Sequence, residues 1–334
     1  MLCIGFDVGG TNARGCLMEF TDATAPPRQL AEVKERIRDT RAPSQVAAVM
    51  ADIATRLVEQ EGVDPAQIES AGVGIAGQLD KTGNTVVGAP NLGWTNVPFK
   101  SVLVESLAGA GFTPPVRIVN DLAANVWGEF CVGAARGHQD VLAVYVGTGV
   151  GGGVIAAGKL YGGHGGKAGE IGHSKVVPHG APCGCGQRGC VEAYVGGRRL
   201  EERLTQDYRA GRSLGLRPYL PVELRDVDHM HMDAIIRPDV ADAAAAAGEL
   251  YADGLWSYVA DLLAMAIANG AMVLNPGLIL LGGGVLRNTK ELSRRVVERI
   301  PSYILRAAAD DIEIRFGELG DDAGVYGAAL LARG

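Results

Sequence analysis

The chain opens with two apolar runs separated by a glycine-rich turn. Residues 2–6 are apolar and lead into Asp7-Val-Gly-Gly-Thr-Asn12, and residues 13–20 then resume a strand-like pattern. Two apolar runs joined by such a turn predict a β-hairpin. A second copy follows about 140 residues later, with apolar residues 141–146 and 154–157 on either side of the glycine run 147–153. The repetition predicts two related α/β halves.

The rest of the pattern predicts further helices and strands and one polar segment. Residues 198–239 are polar and irregular, which favours a solvated loop; His229 and His231 within it could bind a metal, but the loop interpretation is preferred. Residues 262–286 carry no charge, but Asn275-Pro-Gly277 interrupts them, which indicates a buried helix and strand rather than a membrane span. Helices are predicted over 43–60, 102–108, 122–130 and 252–274, and strands over 71–76, 116–119 and 278–281.

One imidazole and three thiols lie within eighteen residues: His173, Cys183, Cys185 and Cys190. Imidazole nitrogen and thiolate sulfur are the ligands that tetrahedral Zn²⁺ selects, and four protein ligands make a structural site. The alternative is a chance cluster of buried cysteines with a core histidine. The glycines that thread the segment favour zinc, which would clamp the loops that carry Glu170 and Glu192.

Three glycine turns follow apolar strands, the third at residues 282–284. Glycine leaves backbone N–H groups open to a polyanion because it has no Cβ. Thr11 and Thr148 add hydroxyl donors to the first two turns. A single turn of this kind is common in hairpins, but three together predict a site for a triphosphate.

Two aspartates at strand ends are candidates for phosphoryl-transfer chemistry. Asp7, beside the first turn, is placed to hold Mg²⁺ through water, and Asp121 could take the proton of an attacking hydroxyl. The structural alternative is that Asp121 caps the helix that follows it. Glu170, His173 and Glu192 carry groups suited to sugar hydroxyls, although the two glutamates could instead support only the zinc ligands.

Composition and charge exclude several classes of protein. A chain of 334 residues has room for two domains, and its net charge of −7 argues against nucleic acid as a main partner. Cys3, Cys16 and Cys131 lie far apart in the sequence, which does not indicate a disulfide framework. The apolar start has no basic region, so no signal peptide is predicted. We expect a reducing, cytoplasmic setting and no membrane partner.

Five motifs resemble signatures of the ROK family of repressors and sugar kinases. The resemblance extends from the first residues to Gly284, nearly the whole chain. The motifs are Asp7-x-Gly-Gly-Thr11, Asn120-Asp121, Gly147-Thr-Gly-x-Gly-Gly-Gly153, Gly169-Glu-Ile-Gly-His173 and Cys183-x-Cys185-Gly-x-x-Gly-Cys190-x-Glu192.

The resemblance implies an α/β fold of two RNase-H-like (actin-like ATPase) domains flanking a cleft, with a zinc-clamped loop. The small domain is expected to comprise residues 1–122 with 315–334 returning to it, and the larger one residues 123–314. The implied activity is ATP-dependent phosphorylation of a hexose at its 6-hydroxyl, with glucose the expected substrate. The family also suggests a homodimer or homotetramer.

The resemblance also assigns roles to single residues. Asp121 matches the catalytic base, and His173, Cys183, Cys185 and Cys190 match the zinc ligands. The expected sugar contacts are Gly77, Asn91, Asn120, Asp121, Glu170, His173 and Glu192. The expected nucleotide and Mg²⁺ contacts are Asp7, Gly9, Gly10, Thr11, Asn12, Gly147, Thr148, Gly149, Gly151, Gly283 and Gly284.

One position departs from the family pattern, and several activities stay open. The family often has lysine after the first Gly-Gly-Thr, where this chain has Asn12; Arg14 could replace the lost charge, but strand alternation could equally turn it away. Alternatives within the family are phosphorylation of N-acetylmannosamine, N-acetylglucosamine or fructose, a polyphosphate donor, and a non-catalytic sugar-sensing regulator. A repressor would carry a helix-turn-helix domain ahead of the first hairpin, for which the sequence leaves no room.

Overall fold

The computed structural model describes residues 1–21, 26–37 and 41–333. The strands are β1 Leu2–Val8, β2 Asn12–Glu19, β3 Arg28–Arg36, β4 Ile68–Ile75, β5 Gln78–Leu79, β6 Val86–Ala89, β7 Trp94–Val97, β8 Val116–Asn120, β9 Val141–Val146, β10 Val150–Ala156, β11 Lys159–Leu160, β12 Leu278–Gly282 and β13 Glu313–Phe316. The helices are α1 Pro43–Glu61, α2 Phe99–Gly109, α3 Asp121–Val132, α4 Glu192–Val195, α5 Gly197–Arg209, α6 Pro238–Ala246, α7 Leu250–Leu274, α8 Gly284–Asn288, α9 Lys290–Tyr303, α10 Arg306–Ala309 and α11 Ala323–Arg333.

The chain divides into two compact units. The first contains Met1–Gln139, Gly153–Ala168 and Gly317–Gly334, and the second contains Asp140–Gly152 and Gly169–Phe316. Each unit is therefore built from segments that are distant in the sequence.

The five-stranded sheet of the first unit has the order β3-β2-β1-β4-β8. β1 pairs antiparallel with β2 from Leu2 opposite Glu19 to Val8 opposite Ala13, and this confirms the predicted first hairpin. β4 and β8 continue the sheet in parallel. Strand alternation sends Ile4, Phe6 and Val8 to one face, where they join a core that includes residues of α1 and α2.

The opposite face of this sheet is covered by α11, which also packs on α3. The helix approaches the strands very closely because glycine lies beneath it. A Cβ on Gly72 would lie 1.8 Å from the carbonyl oxygen of Ala328, and one on Gly5 would lie 2.1 Å from that of Val325. Any side chain at these positions would push α11 away from the sheet, so the last helix of the chain is fixed against the first strands.

The second five-stranded sheet has the order β11-β10-β9-β12-β13. Its strands β9, β12 and β13 run parallel to one another. The strand order thus repeats that of the first sheet, and the predicted pair of related α/β halves is confirmed.

The long helix α7 is the core helix of the second unit. Of the described residues, only this helix is long and apolar enough to cross a membrane, and half of its most apolar stretch is buried within the protein. It packs against α6 and α9. Trp256, which is fully buried, donates its indole N–H to Asp242 on α6 at 2.7 Å.

Two predictions about local structure are wrong. Residues 198–209 belong to α5 rather than to a loop, because Leu200, Leu204 and Tyr208 repeat at helical spacing and are buried. The second glycine run is a turn only up to Gly149, since Val150 already begins β10. In both places tertiary burial overrode a local signal from polar or glycine residues.

Candidate active site

Asp121 lies at the junction of β8 and α3 and is the first residue of α3. The structural alternative, that Asp121 caps this helix, is wrong, because Asn120 is the cap: its Oδ1 accepts hydrogen bonds from the backbone N–H of Leu122 at 3.0 Å and of Ala123 at 3.1 Å. The Asp121 carboxylate is consequently not needed to begin the helix.

Burial and a nearby carboxylate make Asp121 a stronger base than an ordinary aspartate. Burial, and then the negative charge of Asp7, raise the pKa of Asp121 to about 6, while hydrogen bonds to its carboxylate pull the pKa down. One of these bonds comes from Asn120 Nδ2 at 3.0 Å, and the same amide group donates to the carbonyl of Gly77 at 3.1 Å. Three predicted sugar-binding residues, Gly77, Asn120 and Asp121, therefore lie together.

The first glycine turn forms one wall of a cavity of about 560 Å³ in the first unit. Burial raises the pKa of Asp7, and Arg14 opposes this shift. The predicted contact Asn91 lies beside this turn, since a Cβ on Gly10 would be 2.8 Å from Asn91 Cβ. The cavity is lined by the predicted residues Asp7, Gly9, Gly10, Thr11 and Asn12, and by Arg14, Glu32, Lys34, Asp321 and Asp322.

The charged residues that complete this cavity were not predicted as site residues, apart from the question raised about Arg14. Glu32 and Lys34 come from β3, and Asp321 and Asp322 from the segment before α11. Only pairing of β2 with β3 and packing of α11 bring them to the turn. An alternation of charge along β3 was the one local signal that could have identified Glu32 and Lys34.

The four predicted zinc ligands converge in the second unit. One donor atom from each of His173, Cys183, Cys185 and Cys190 lies within 4.8 Å of the other three. His173 Nδ1 is 3.7 Å from Cys183 Sγ, and Cys185 Sγ is 3.7 Å from Cys190 Sγ. Ligands at about 2.3 Å from a tetrahedral ion are roughly 3.7 Å apart, so these residues fit Zn²⁺.

The surroundings of the cluster fit a metal with an excess of thiolate charge. Three thiolates and one Zn²⁺ leave one negative charge, and Lys175 Nζ lies 2.8 Å from Cys190 Sγ. The backbone wraps the cluster through short bonds, among them Cys183 N–H to the Gln187 carbonyl at 2.8 Å. All six cysteines of the chain are free thiols.

The two glutamates beside the cluster differ in their contacts. Glu192 Oε2 accepts a hydrogen bond from the backbone N–H of Val150 at 3.0 Å, and a Cβ on Gly149 would lie 2.4 Å from that oxygen. Glu192 therefore ties the glycine turn to the loop that carries the cysteines. Glu170 Oε2 is 3.9 Å from His173 Nε2, the ring nitrogen that does not face Cys183.

A second cavity, of about 330 Å³, lies in the second unit beside the second and third glycine turns. Among the predicted nucleotide contacts, Gly147, Thr148 and Gly284 line it, whereas Gly149 faces Glu192 and Gly151 lies within β10. Gly283 has a φ of +92° and packs on the backbone of Val146, which serves the turn itself. The wall also includes residues that were not predicted: Gly197, Arg198, Glu201, Arg237, Pro238, Asp239, Val285, Asn288 and Thr289.

Two sheets of the same strand order, each with a glycine turn after its first strand, define the class of α/β proteins that contains the actin-like ATPases. Comparison with known proteins identifies the family within this class. The ROK family model matches residues 3–334, and the chain belongs to that family.

Relatives and solved structures agree with this assignment over nearly the full length. A glucokinase from Halalkalibacterium halodurans is 31% identical over 331 residues, covering 99% of this chain and 94% of the relative. The ROK hexokinase from Thermus thermophilus superimposes with a TM-score of 0.80 at 28% identity, covering 100% of this chain and 98% of that one. A ROK glucokinase from Streptomyces griseus in complex with glucose and AMPPNP gives 0.78 at 30% identity, covering 100% and 99%. The predicted family and fold class are confirmed.

Proposed function

We propose that the protein transfers the γ-phosphoryl group of ATP to the 6-hydroxyl of a hexose, and that the hexose is glucose. The observation that carries the proposal is Asp121, a buried carboxylate at the start of α3 that is not the helix cap and whose pKa is raised by burial and by the charge of Asp7. The relatives named glucokinase, at about 30% identity over almost the whole chain, support this reaction.

Asp121 acts as the general base in this proposal. The 6-oxygen of the sugar attacks the γ-phosphorus, its proton passes to the Asp121 carboxylate, and the bond from that phosphorus to the bridging oxygen of ADP breaks. With a pKa of about 6 the group is mostly ionised at neutral pH and is more basic than a solvated aspartate. Asn120 Nδ2 donates to Asp121 Oδ1 at 3.0 Å and so orients the carboxylate.

The two glycine turns bind the nucleotide in this proposal. The cavity beside Gly9 and Gly10 offers backbone N–H groups and the Thr11 hydroxyl to phosphate oxygens. The cavity beside Gly147 and Gly284 is of the size that a nucleoside needs. Mg²⁺, when bound, neutralises the phosphates, and Asp7 is the residue that we propose to hold it through water.

We further propose that His173, Cys183, Cys185 and Cys190 hold a structural Zn²⁺. The spacing of their donor atoms supports this assignment, and so does Lys175 beside Cys190. Bound zinc would fix the segment that carries Glu170 and Glu192, and His173 Nε2 would remain available for a hydroxyl. Contacts of the hexose with Asn91, Glu170, His173 and Glu192 stay predictions.

A cytoplasmic location and a homodimer or homotetramer complete the proposal. Free thiols at every cysteine fit a reducing compartment. Light scattering coupled to size-exclusion chromatography measures the oligomeric state, and a monomer at assay concentration would contradict the proposed assembly.

A coupled ADP-release assay with Mg-ATP tests the reaction and the substrate together. The panel contains glucose, N-acetylglucosamine, N-acetylmannosamine, fructose, mannose and allose, and Asp121→Asn serves as the control without a base. Glucose turned over far faster than the other sugars supports the proposal, and a faster N-acetyl sugar corrects the substrate within the same mechanism. Absence of turnover with every sugar, in protein shown to bind ATP, would instead support a sugar-sensing regulator.

A further inference from the structure

The cavity beside the first glycine turn is more acidic than a polyphosphate site should be. Its wall carries the carboxylates of Asp7, Glu32, Asp321 and Asp322. A triphosphate brought to Gly9 and Gly10 meets these charges, and the repulsion must be offset by cations in the same wall. The wall supplies two basic side chains, Arg14 and Lys34, which lie opposite each other on β2 and β3.

The guanidinium of Arg14 already forms hydrogen bonds and ion pairs with other residues of the protein. Its Nε and Nη2 bind the two carboxylate oxygens of Glu32 at 2.6 and 2.9 Å, and its Nη1 donates to the Asp321 carbonyl at 2.8 Å. Nη2 also contacts the Asp322 carboxylate. The side chain is only 13% exposed, so its guanidinium neutralises the wall and ties β3 to the segment before α11. It has little capacity left for a phosphate.

Lys34 differs from Arg14 in its contacts with the residues that the structure describes. It is exposed at the cavity wall, and among the described residues it makes neither a hydrogen bond nor an ion pair. Its charge reaches the turn, since burial raises the pKa of Asp7 and Lys34, like Arg14, opposes that rise. A flexible four-carbon stem allows the ammonium group to follow a phosphate as a point charge, which a bidentate Arg14 held by Glu32 cannot do.

We propose that Lys34 binds the polyphosphate of the nucleotide and takes over the role of the cation that is missing at Asn12. This inference rests on the proposed function, because it names the group that receives the phosphates of the same reaction. Asn12 lies on β2 and pairs with Arg36 on β3. Lys34 lies two positions before Arg36 on the same strand. The positive charge is thus supplied from β3 instead of from the glycine turn itself.

Steady-state kinetics of Lys34→Gln test the assignment. We expect the KM for Mg-ATP to rise roughly tenfold, since one charge-assisted contact to phosphate is lost, while the KM for glucose stays constant. Lys100→Gln is the matched control, because it removes the same charge from α2 in the same unit, away from the cavity wall. Equal KM values for ATP in the two variants would overturn the inference.

A rescue variant separates phosphate binding from a general loss of stability. Placing lysine at the turn, Asn12→Lys, in the Lys34→Gln background should return the KM for Mg-ATP most of the way to that of the parent chain. A double variant that binds ATP as weakly as Lys34→Gln alone would count against the shared role.

Calorimetric binding of inorganic tripolyphosphate makes the test independent of turnover. If the parent protein phosphorylates no sugar, the proposed function fails, yet this measurement still decides the role of Lys34. Binding about tenfold weaker in Lys34→Gln than in Lys100→Gln supports the inference, and the same affinity in both refutes it.

Discussion

Replacing Asp121 with asparagine should stabilise the protein while removing its activity. Burial and the charge of Asp7 raise the pKa of Asp121 from an ordinary 3.8 to about 6. This rise in pKa means that the ionised Asp121 destabilises the folded state by roughly 3 kcal/mol. Asparagine keeps the shape and carries no charge, so Asp121→Asn should gain up to about 3 kcal/mol in the free energy of unfolding at pH 8.

The pH dependence of this gain follows from the sign of the shift. A carboxyl group whose pKa is raised by folding favours the folded state below its unfolded pKa, and this advantage disappears as pH rises through about 6. The difference between parent and Asp121→Asn should accordingly be largest above pH 7 and shrink towards zero near pH 4. Denaturant unfolding at several pH values measures it.

Asp80→Asn is the matched control for stability. Asp80 is half-buried, and hydrogen bonds from Thr82 and the backbone of Asn84 and Thr85 lower its pKa. The same substitution there should give no stabilisation at pH 8. If both variants were stabilised equally, or if Asp121→Asn were destabilised at pH 8, the reasoning from burial and Asp7 would be wrong.

The catalytic half of the prediction uses the ADP-release assay. Loss of a general base should lower kcat at least about 100-fold with little change in sugar binding. In the parent enzyme kcat/KM should fall about tenfold per unit below pH 6, as the Asp121 carboxylate takes up a proton. Substantial turnover by Asp121→Asn would refute the base assignment.

Three further predictions concern residues that stabilise one unit or the other through contacts inside that unit. Gly149→Ala should raise the KM for sugar several-fold, because its Cβ displaces the Glu192 carboxylate; a KM equal to that of the parent would contradict this. Glu129 is buried and accepts backbone hydrogen bonds from Ala134, Glu318 and Leu319, so Glu129→Ala should lose about 3–5 kcal/mol of unfolding free energy and Glu129→Gln less, and equal losses would argue against those bonds. Cys185→Ser should lower both zinc content by elemental analysis and melting temperature, and a variant that keeps both would remove Cys185 from the ligand set.

The elements with strong periodicity were predictable from the sequence. The hairpin at the start, α1 and the long buried α7 agree with their predictions within two residues, because apolar spacing in each matches the burial of one face or of the whole element. The cluster of His173 with Cys183, Cys185 and Cys190 was also predictable, because the three cysteines lie within eight residues of the sequence.

Predictions failed where a local signal competed with tertiary packing. The residues of α5 are polar on average, and only the buried stripe of Leu200, Leu204 and Tyr208 makes them helical. The cap of α3 illustrates the same limit on a smaller scale, because Asn120 and Asp121 are both good capping residues and only the backbone geometry selects Asn120.

The sequence by itself determined which chemical groups this protein has: the thiols and imidazole of the proposed metal site, the glycine turns proposed to bind phosphate, and a carboxylate at a strand end. The tertiary structure decided the pKa of these groups and which of them form ion pairs. Asp121 acquires its raised pKa from burial and from Asp7, which is over a hundred residues away in the chain. Arg14 is bound by Glu32 and the segment before α11, whereas Lys34 in the same cavity wall forms no ion pair with any residue that the structure describes. Burial and electrostatic environment depend on residues that are close in space, and residues that are far apart in the sequence cannot be identified as neighbours from a local sequence pattern.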